Sequence, residues 1–117
     1  MSNYLVTGAA GFIGSALAAD LISLGHTVVT IDNLSTGIRE NVPDKVIFIQ
    51  GDCADPASYK LIPDIKLDAI LHIAGQSSGE ISFDDPVYDI RTNAESTLLL
   101  LKFALKNGCK RFVYAGT

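Results

Sequence analysis

The sequence predicts an α/β protein in which a parallel sheet is covered by helices on both faces. Short apolar runs alternate with helical patterns along the chain, which is the order typical of this class. The runs are apolar at nearly every position, as expected of parallel strands that are buried on both faces. The chain has 117 residues and contains no internal repeat or linker, so it is about one domain in size.

Five strands are predicted from these runs, because each run is short, apolar and bounded by turn-forming residues. They cover residues 3–7, 27–31, 46–50, 68–74 and 111–117. The polar segment 33–45, which contains Gly37 and Pro43, indicates a loop or a short irregular helix. The last strand is expected to be buried.

Two of the predicted helices lie in the first half of the chain. Residues 12–24 carry a helical pattern that stops at Gly25. Its apolar side is formed by Ile13, Ala16, Leu17, Leu21 and Leu24. Asp55 and Pro56 are typical of a helix start, as an N-cap followed by proline in the first turn, and Pro63 keeps this second helix short.

A third, long helix is predicted from Asp85 to about Lys106. Asp85 and Pro86 repeat the start signature, and Asn107 and Gly108 form the end. One apolar stripe contains Ile90, Ala94, Leu98, Leu101 and Leu105. Because four leucines follow one another at 98–101, more than one face is apolar, and the helix needs cover on two sides.

Composition argues against several classes of function. The net charge is -4 and there is no basic run, so a nucleic-acid surface is not expected. Two cysteines, Cys53 and Cys109, are too few for a disulfide scaffold and suit a reducing compartment. No metal-ligand cluster and no apolar stretch of membrane-spanning length is present. We therefore expect a soluble cytoplasmic protein.

Three glycines follow the first strand and open the first helix. Gly8, Gly11 and Gly14 have the spacing G-x-x-G-x-x-G, in the strand, turn, helix order that a dinucleotide-binding turn requires. A sharp turn and a close approach of the backbone to a pyrophosphate both need small residues, and the helix N-terminus offers free N–H groups. A tight turn without a ligand is the alternative interpretation of this motif.

Asp32 ends the second strand, where a carboxylate can accept hydrogen bonds from both hydroxyls of the adenosine ribose. The same carboxylate would repel a 2′-phosphate, so it favours NAD over NADP. Taken alone, Asp32 is better explained as a solvated carboxylate at a strand end. Together with the glycines it predicts an NAD site.

A family resemblance depends on five motifs that occur in order along the chain. They are TGAAGFIGS at 7–15, DNLSTG at 32–37, Gly51-Asp52, HIAGQ at 72–76, and Asp85-Pro86 followed by Asn93. With them the chain resembles the extended short-chain dehydrogenase/reductases, in the branch of NAD-dependent nucleotide-sugar epimerases and dehydratases. The resemblance implies a Rossmann-type doubly wound parallel sheet of about five strands in the order 3-2-1-4-5, truncated after the fifth strand.

The resemblance also implies a cofactor site spread over the loops that follow the strands. Its predicted members are Gly8, Gly11, Phe12, Ile13, Gly14, Asp32, Asn33, Leu34, Ser35, Thr36, Asp52, Cys53, Ile73, Ala74, Gly75 and Asn93. Ser77 and Ser78 lie in the loop that borders the substrate site in the family, although some epimerases carry a lysine at the position of Ser77. Simpler interpretations stay open: Asp52 as a turn cap, Asn93 bonded to neighbouring backbone, the serines as a solvated loop. For His72 we favour a packed, satisfied side chain over a catalytic one.

The family's catalytic tyrosine and lysine, in the pattern Tyr-x-x-x-Lys, are absent from these 117 residues. Thr117 stands at or next to the Ser/Thr of the family's catalytic triad, although on this chain alone a plain chain end is the favoured interpretation. Residues 1–117 are thus expected to form an NAD-binding domain that lacks the catalytic helix and the substrate domain. The chain alone is expected to be inactive.

Two functions remain open. In the first, the chain is the NAD-binding part of a nucleotide-sugar epimerase or dehydratase. In the second, it is a stand-alone, non-catalytic NAD-binding or interaction module. In either case the family's dimer helix, here 85–106, lacks its usual neighbour, so a homodimer or larger species is expected. The sugar nucleotide and the choice between epimerase, dehydratase and reductase stay undetermined.

Overall fold

Five parallel strands form one sheet in the order β3-β2-β1-β4-β5. The computed structural model describes residues 2–34, 39–73 and 86–114, and of residues 86–93 only the backbone. The strands are β1 (Asn3–Thr7), β2 (Thr27–Asp32), β3 (Ile47–Gln50), β4 (Ala69–His72) and β5 (Phe112–Tyr114). The predicted α/β class and strand order are confirmed.

Helices cover both faces of this sheet, as the uniformly apolar strands predict. They are α1 (Phe12–Ser23), α2 (Pro56–Tyr59) and α3 (Pro86–Asn107), and a 3-10 turn spans Arg39–Asn41. One core cluster, which includes Leu5, Ile70 and Leu100, lies between the sheet and α3. The second cluster, which includes Val6 and Ala18, lies on the α1 face.

Helix α1 rests on the sheet through its smallest residues. Gly14 and Ala18 are its buried positions, whereas Ile13 and Leu24, from the predicted apolar side, are 67% and 71% exposed. A Cβ on Gly14 would overlap the backbone carbonyl of Gly8. The apolar periodicity therefore located the helix, but the close approach at Gly14 decides which face is innermost.

Helix α2 begins as the sequence predicts. The Asp55 side chain accepts a hydrogen bond from the Ala57 N–H at 3.0 Å, and Pro56 occupies the first turn. This cap satisfies one of the N–H groups that a helix start leaves without an intrahelical partner.

From residue 94 onward, where its side chains are described, helix α3 presents its predicted apolar stripe to the outside. Leu98 and Leu105 are 61% and 83% exposed, while Ser96, Leu100 and Ala104 are buried against the sheet. This described part of the helix thus carries two apolar faces, of which the sheet covers one. Heptad-like spacing identifies apolar positions, but it does not say which of two apolar faces a sheet will cover.

The C-terminus of α3 is tied to the segment that precedes β4. The Asn107 side chain donates to the Ile65 carbonyl and accepts from the Leu67 N–H, both at 2.8 Å. A single amide thus satisfies one donor and one acceptor of a connecting segment, which fixes α3 relative to the start of β4.

Strand β5 is less buried than predicted. Phe112 packs against the core, but Val113 and Tyr114 are 53% and 51% exposed, so the expected burial is wrong for the described part of this strand. In the described sheet β5 pairs only with β4 and stands at the edge. The burial of an edge strand depends on which elements pack beside it, and an apolar run in the sequence does not identify them. Residues 115–117 lie outside the described part.

Within the described ranges, no helix has the length and apolar character needed to cross a membrane.

Candidate cofactor-binding site

The predicted cofactor residues gather at one edge of the sheet. Gly8 follows β1, Asp32 ends β2, Asp52 comes shortly after β3, and Ile73 follows β4. Because the strands are parallel, these carboxyl ends share an edge. From β1 the sheet grows outwards in one direction through β2 and β3, and in the opposite direction through β4 and β5. The glycine turn after β1 therefore lies at the point where the strand order reverses, which is where such sheets hold ligands.

The glycine turn has two positions that the fold itself restricts to glycine. Gly8 has φ of 78°, a left-handed conformation that side chains disfavour, and its N–H donates to the Ile31 carbonyl at 3.0 Å. At Gly14 a Cβ would collide with the Gly8 carbonyl. These contacts place the N-terminus of α1 directly above the end of β1.

Gly11 differs from the other two glycines. Its φ is -81°, which any residue adopts, and a Cβ there would meet the Gly8 carbonyl oxygen at 3.4 Å, within ordinary contact. The fold of the described residues thus gives little reason for glycine at this position. A ligand that approaches the backbone closely would supply the reason.

Side chains from the second strand hold the turn in place. The Ala10 N–H donates to Asp32 Oδ2 at 2.9 Å, and the Ala9 N–H donates to Thr30 Oγ1 at 3.2 Å. From the 3-10 turn, Asn41 Nδ2 donates to the Ala10 carbonyl at 3.3 Å. Thr30 and Asn41 were not predicted, since a threonine in a β-branched run and an asparagine in a polar loop carry no distinctive signal.

The N-terminus of α1 is open to ligands. Phe12 is 90% exposed, and the N-cap residue Gly11 provides no side-chain cap. The first intrahelical bond runs from the Ser15 N–H to the Gly11 carbonyl, so the N–H groups of Phe12, Ile13 and Gly14 have no partner within the helix. With the partial positive charge of the helix end, they suit an anionic group such as a pyrophosphate.

Asp32 is nearly buried and already partly engaged. Besides the Ala10 N–H on Oδ2, its Oδ1 accepts the Leu34 N–H at 2.8 Å. A carboxylate offers about four acceptor positions, so roughly two remain. Leu34 has φ of 62°, and Asn33 between them is exposed. The carboxylate thus shapes both neighbouring loops and keeps acceptor capacity for hydroxyl groups.

Asp52 caps a local turn, in line with the simpler of its two interpretations. Its Oδ1 accepts the Ala54 N–H at 2.8 Å. Cys53 is buried in the core, and this burial, followed by the negative charges of Asp52 and Asp32, raises the pKa of its thiol to about 12. The thiol therefore stays protonated and acts as a small apolar group. A contact of either residue with adenine stays a prediction.

His72 is a packed histidine whose ring atoms have partners, as the favoured interpretation predicts. It is 1% exposed, its Nδ1 lies 2.8 Å from Thr7 Oγ1, and its Nε2 lies 3.5 Å from Ser96 Oγ. Burial lowers the pKa of His72 to about 4, so the ring is neutral near pH 7.

Several predicted site residues lie outside the described residues. These are Ser35, Thr36, Ala74, Gly75, Ser77, Ser78 and Thr117, and for Asn93 only the helical backbone is described. The cofactor and substrate roles assigned to them stay predictions. Across ranges 2–34, 39–73 and 94–114, no group of three His, Cys, Asp or Glu side chains is arranged to hold a metal ion.

Parallel sheets of this order with a glycine turn at the switch point form the Rossmann-type dinucleotide-binding class, and this chain has both features. Residues 4–117 match the model of the NAD dependent epimerase/dehydratase family. The chain belongs to this family, and NAD is the family's cofactor.

Individual relatives agree with this assignment. The chain is 39% identical to a UDP-glucose 4-epimerase of Mycolicibacterium smegmatis, over 97% of this chain and 38% of that protein. It is 36% identical to a dTDP-glucose 4,6-dehydratase of Streptomyces antibioticus, over 98% of this chain and 37% of that protein. The chain thus spans less than two fifths of the length of these relatives.

Solved structures give the same picture. A UDP-glucose 4-epimerase with UDP-glucose from Thermotoga maritima superposes with a TM-score of 0.93 at 36% identity, over 98% of this chain and 38% of that one. The Thermus thermophilus UDP-glucose 4-epimerase in complex with NAD gives a TM-score of 0.91 at 39% identity, over 98% of this chain and 37% of that one.

Acid should destabilise the folded chain through His72. Burial lowers the pKa of this ring from 6.5 to about 4, so the unfolded chain takes up the proton first as the pH falls. The stability that neutral His72 contributes is complete above pH ~6.5 and falls by up to ~1.4 kcal/mol per pH unit towards pH ~4. Urea unfolding at several pH values, compared with the His72→Asn variant, measures this difference. Identical pH dependence in both proteins would contradict it.

Proposed function

We propose that this chain binds NAD at the carboxyl edge of its sheet. The observation that carries the proposal is the Ala10 N–H to Asp32 bond of 2.9 Å, which joins the glycine turn to the strand-end carboxylate as one unit. In this arrangement the N–H groups of Phe12 and Ile13 hold the pyrophosphate. The remaining acceptor positions of Asp32 take the ribose hydroxyls.

The chain's residues fit this cofactor better than its 2′-phosphorylated form. A phosphate beside the Asp32 carboxylate would bring like charges together in a site with little solvent. Arg39 lies seven positions after Asp32, and its guanidinium carbon is 4.3 Å from the centre of the Phe48 ring. It is thus engaged with an aromatic ring instead of offering its charge to a phosphate beside Asp32. We therefore propose a preference for NAD over NADP.

For the whole protein we propose a nucleotide-sugar epimerase or dehydratase. The support is family membership together with relatives of both kinds, a UDP-glucose 4-epimerase and a dTDP-glucose 4,6-dehydratase. NAD, when bound, accepts the hydride from a sugar carbon, while the hydroxyl proton goes to a base. The residues described here bind and orient; the predicted Ser77, Ser78 and Thr117 would meet the sugar nucleotide.

The 117 residues by themselves are proposed to be an NAD-binding domain without turnover. Four positions after Tyr4, Tyr59 and Tyr88 stand Gly8, Pro63 and Thr92, so none begins a Tyr-x-x-x-Lys pair within the chain. Without this pair the proton of the sugar hydroxyl has no matched acceptor. A cytoplasmic location stays a prediction.

A non-catalytic NAD-binding or interaction module is the second candidate. The observation in its favour is the outer face of α3, where Leu98, Leu101 and Leu105 are exposed in the isolated chain. The coding sequence downstream of Thr117 separates the two candidates. An open frame with a Tyr-x-x-x-Lys pair favours the enzyme, and an in-frame stop favours the module.

Gly11→Ala should weaken NAD binding without unfolding the chain. Its Cβ meets no protein atom closer than 3.4 Å, so we expect a stability loss below about 1 kcal/mol. The methyl group would obstruct a pyrophosphate, and the affinity should fall at least about tenfold. Gly14→Ala, by contrast, should cost about 1–3 kcal/mol of stability through overlap with the Gly8 carbonyl.

Calorimetric titration with NAD and NADP, together with urea unfolding, measures both quantities. The unmodified chain should bind NAD at least about tenfold more tightly than NADP. A folded chain that binds no NAD, or binds both cofactors equally, contradicts the site. Unchanged affinity in Gly11→Ala contradicts the assignment of that residue.

The isolated chain should show no turnover. Incubated with NAD and either UDP-glucose or dTDP-glucose, it should give no isomerised or dehydrated sugar, because its 117 residues contain no Tyr-x-x-x-Lys pair. Product analysis by chromatography measures this, with a full-length family member as the positive control. Product that increases in proportion to the amount of chain would overturn the prediction.

The outer face of α3 should cause association. We propose a homodimer or larger species through this helix, because exposed leucines at 98, 101 and 105 form one apolar strip. Changing Leu98 and Leu105 to Lys should shift the mass in light scattering towards the monomer. Leu24→Lys, at an equally exposed leucine beside α1, is the matched control and should leave the mass unchanged. A monomeric unmodified chain contradicts the proposal.

A further inference from the structure

We propose that His72 is a positioning residue for the cofactor site: it locks Thr7, which precedes the glycine turn, to the chain leaving β4. The proposal rests on the proposed NAD site and adds to it a residue that touches no cofactor. Thr7 and His72 are register partners on β1 and β4, and they are the last pair before the two strands diverge into their loops.

One hydroxyl joins the ends of these two strands. Thr7 Oγ1 lies 2.8 Å from His72 Nδ1, and it also accepts the Ile73 N–H at 3.0 Å. The next residue on β1 is Gly8, and the chain beyond Ile73 carries the predicted cofactor residues Ala74 and Gly75. The threonine hydroxyl therefore fixes the two starting points of the site relative to each other.

The far side of the imidazole ring connects this pair to α3. His72 Nε2 lies 3.5 Å from Ser96 Oγ, and both side chains are buried. Since hydroxyls both donate and accept, Thr7 and Ser96 together can serve the neutral ring in either tautomer. The ring also lies 5.5 Å from the Tyr114 ring on β5, so His72, itself on β4, contacts two further strands and one helix.

The position of this cluster in the core indicates more than space filling. Two residues earlier on the same strands and the same face, Leu5 and Ile70 are fully buried apolar residues. The sequence changes from an apolar pair to a polar pair only in the last layer, next to the loops. Burying an imidazole and a hydroxyl costs free energy unless they bond to each other, so the geometry of the pair is narrowly defined.

Three substitutions of His72 separate positioning from packing. The amide of His72→Asn comes close to the place of Nδ1 and can keep the bond to Thr7, whereas that of His72→Gln reaches towards Ser96 instead. His72→Leu keeps volume and loses both bonds. We expect NAD affinity within about twofold of the unmodified chain for Asn, and a loss of about tenfold for Gln and Leu.

Leu100→Val is the matched control, because it destabilises the α3 face of the core and leaves the polar residues Thr7, His72 and Ser96 unchanged. It should lower stability and leave NAD affinity unchanged. Amide hydrogen exchange without NAD provides the second measurement: Gly8, Ala9 and Ala10 should exchange faster in Gln and Leu than in Asn or Leu100→Val. Should His72→Leu not fold, His72→Gln carries the same comparison.

The outcomes are distinguishable from failure of the NAD site. If the unmodified chain binds no NAD, the proposed function fails, and the exchange rates still decide whether His72 holds the glycine turn. The positioning role is overturned if Asn loses as much affinity as Leu, if Gln keeps the affinity that Asn loses, or if all losses follow stability as in Leu100→Val. The positioning role is supported if NAD affinity falls and amide exchange of the glycine turn becomes faster only in the variants that lose the bond to Thr7.

Discussion

The close approach of α1 to β1 is the constraint on which the rest of the site depends. Because Gly14 has no side chain, the helix can pack against the Gly8 carbonyl, and its N-terminus comes to lie over the end of the central strand. The bonds from Thr30 and Asp32 to the turn then hold its backbone in one conformation. The open N–H groups and the carboxylate are therefore fixed by the same packing that builds the core.

The sheet also divides the work between its two faces. On the α1 face, small residues allow the N-terminus of α1 to lie at the carboxyl edge of the sheet, and the core there contains several alanines and valines. On the α3 face, larger side chains fill the core, and His72 is embedded among them at the same edge. The exposed N-terminus of α1 thus lies on one face of the sheet, and the buried His72 lies on the other.

Most of the fold was predictable because its signals are local. Apolar runs marked the strands, the Asp55 and Pro56 pair marked α2, and the glycine spacing marked the turn. The innermost face of α1, the outward stripe of α3 and the exposure of β5 were not, since each depends on which neighbour covers an apolar surface. The hydrogen bonds of Thr30, Asn41 and Ser96 join residues that are distant in sequence, so no local pattern predicts them.

Leu34 has a consequence for the energetics of ligand capture. A leucine with φ of 62° costs about 1–2 kcal/mol relative to an ordinary backbone conformation. Its N–H bond to Asp32 and its partial burial hold it there in the chain alone. The strain is therefore met during folding, so this stretch of backbone beside Asp32 is already ordered before any ligand binds there, and its ordering would take no share of a binding free energy.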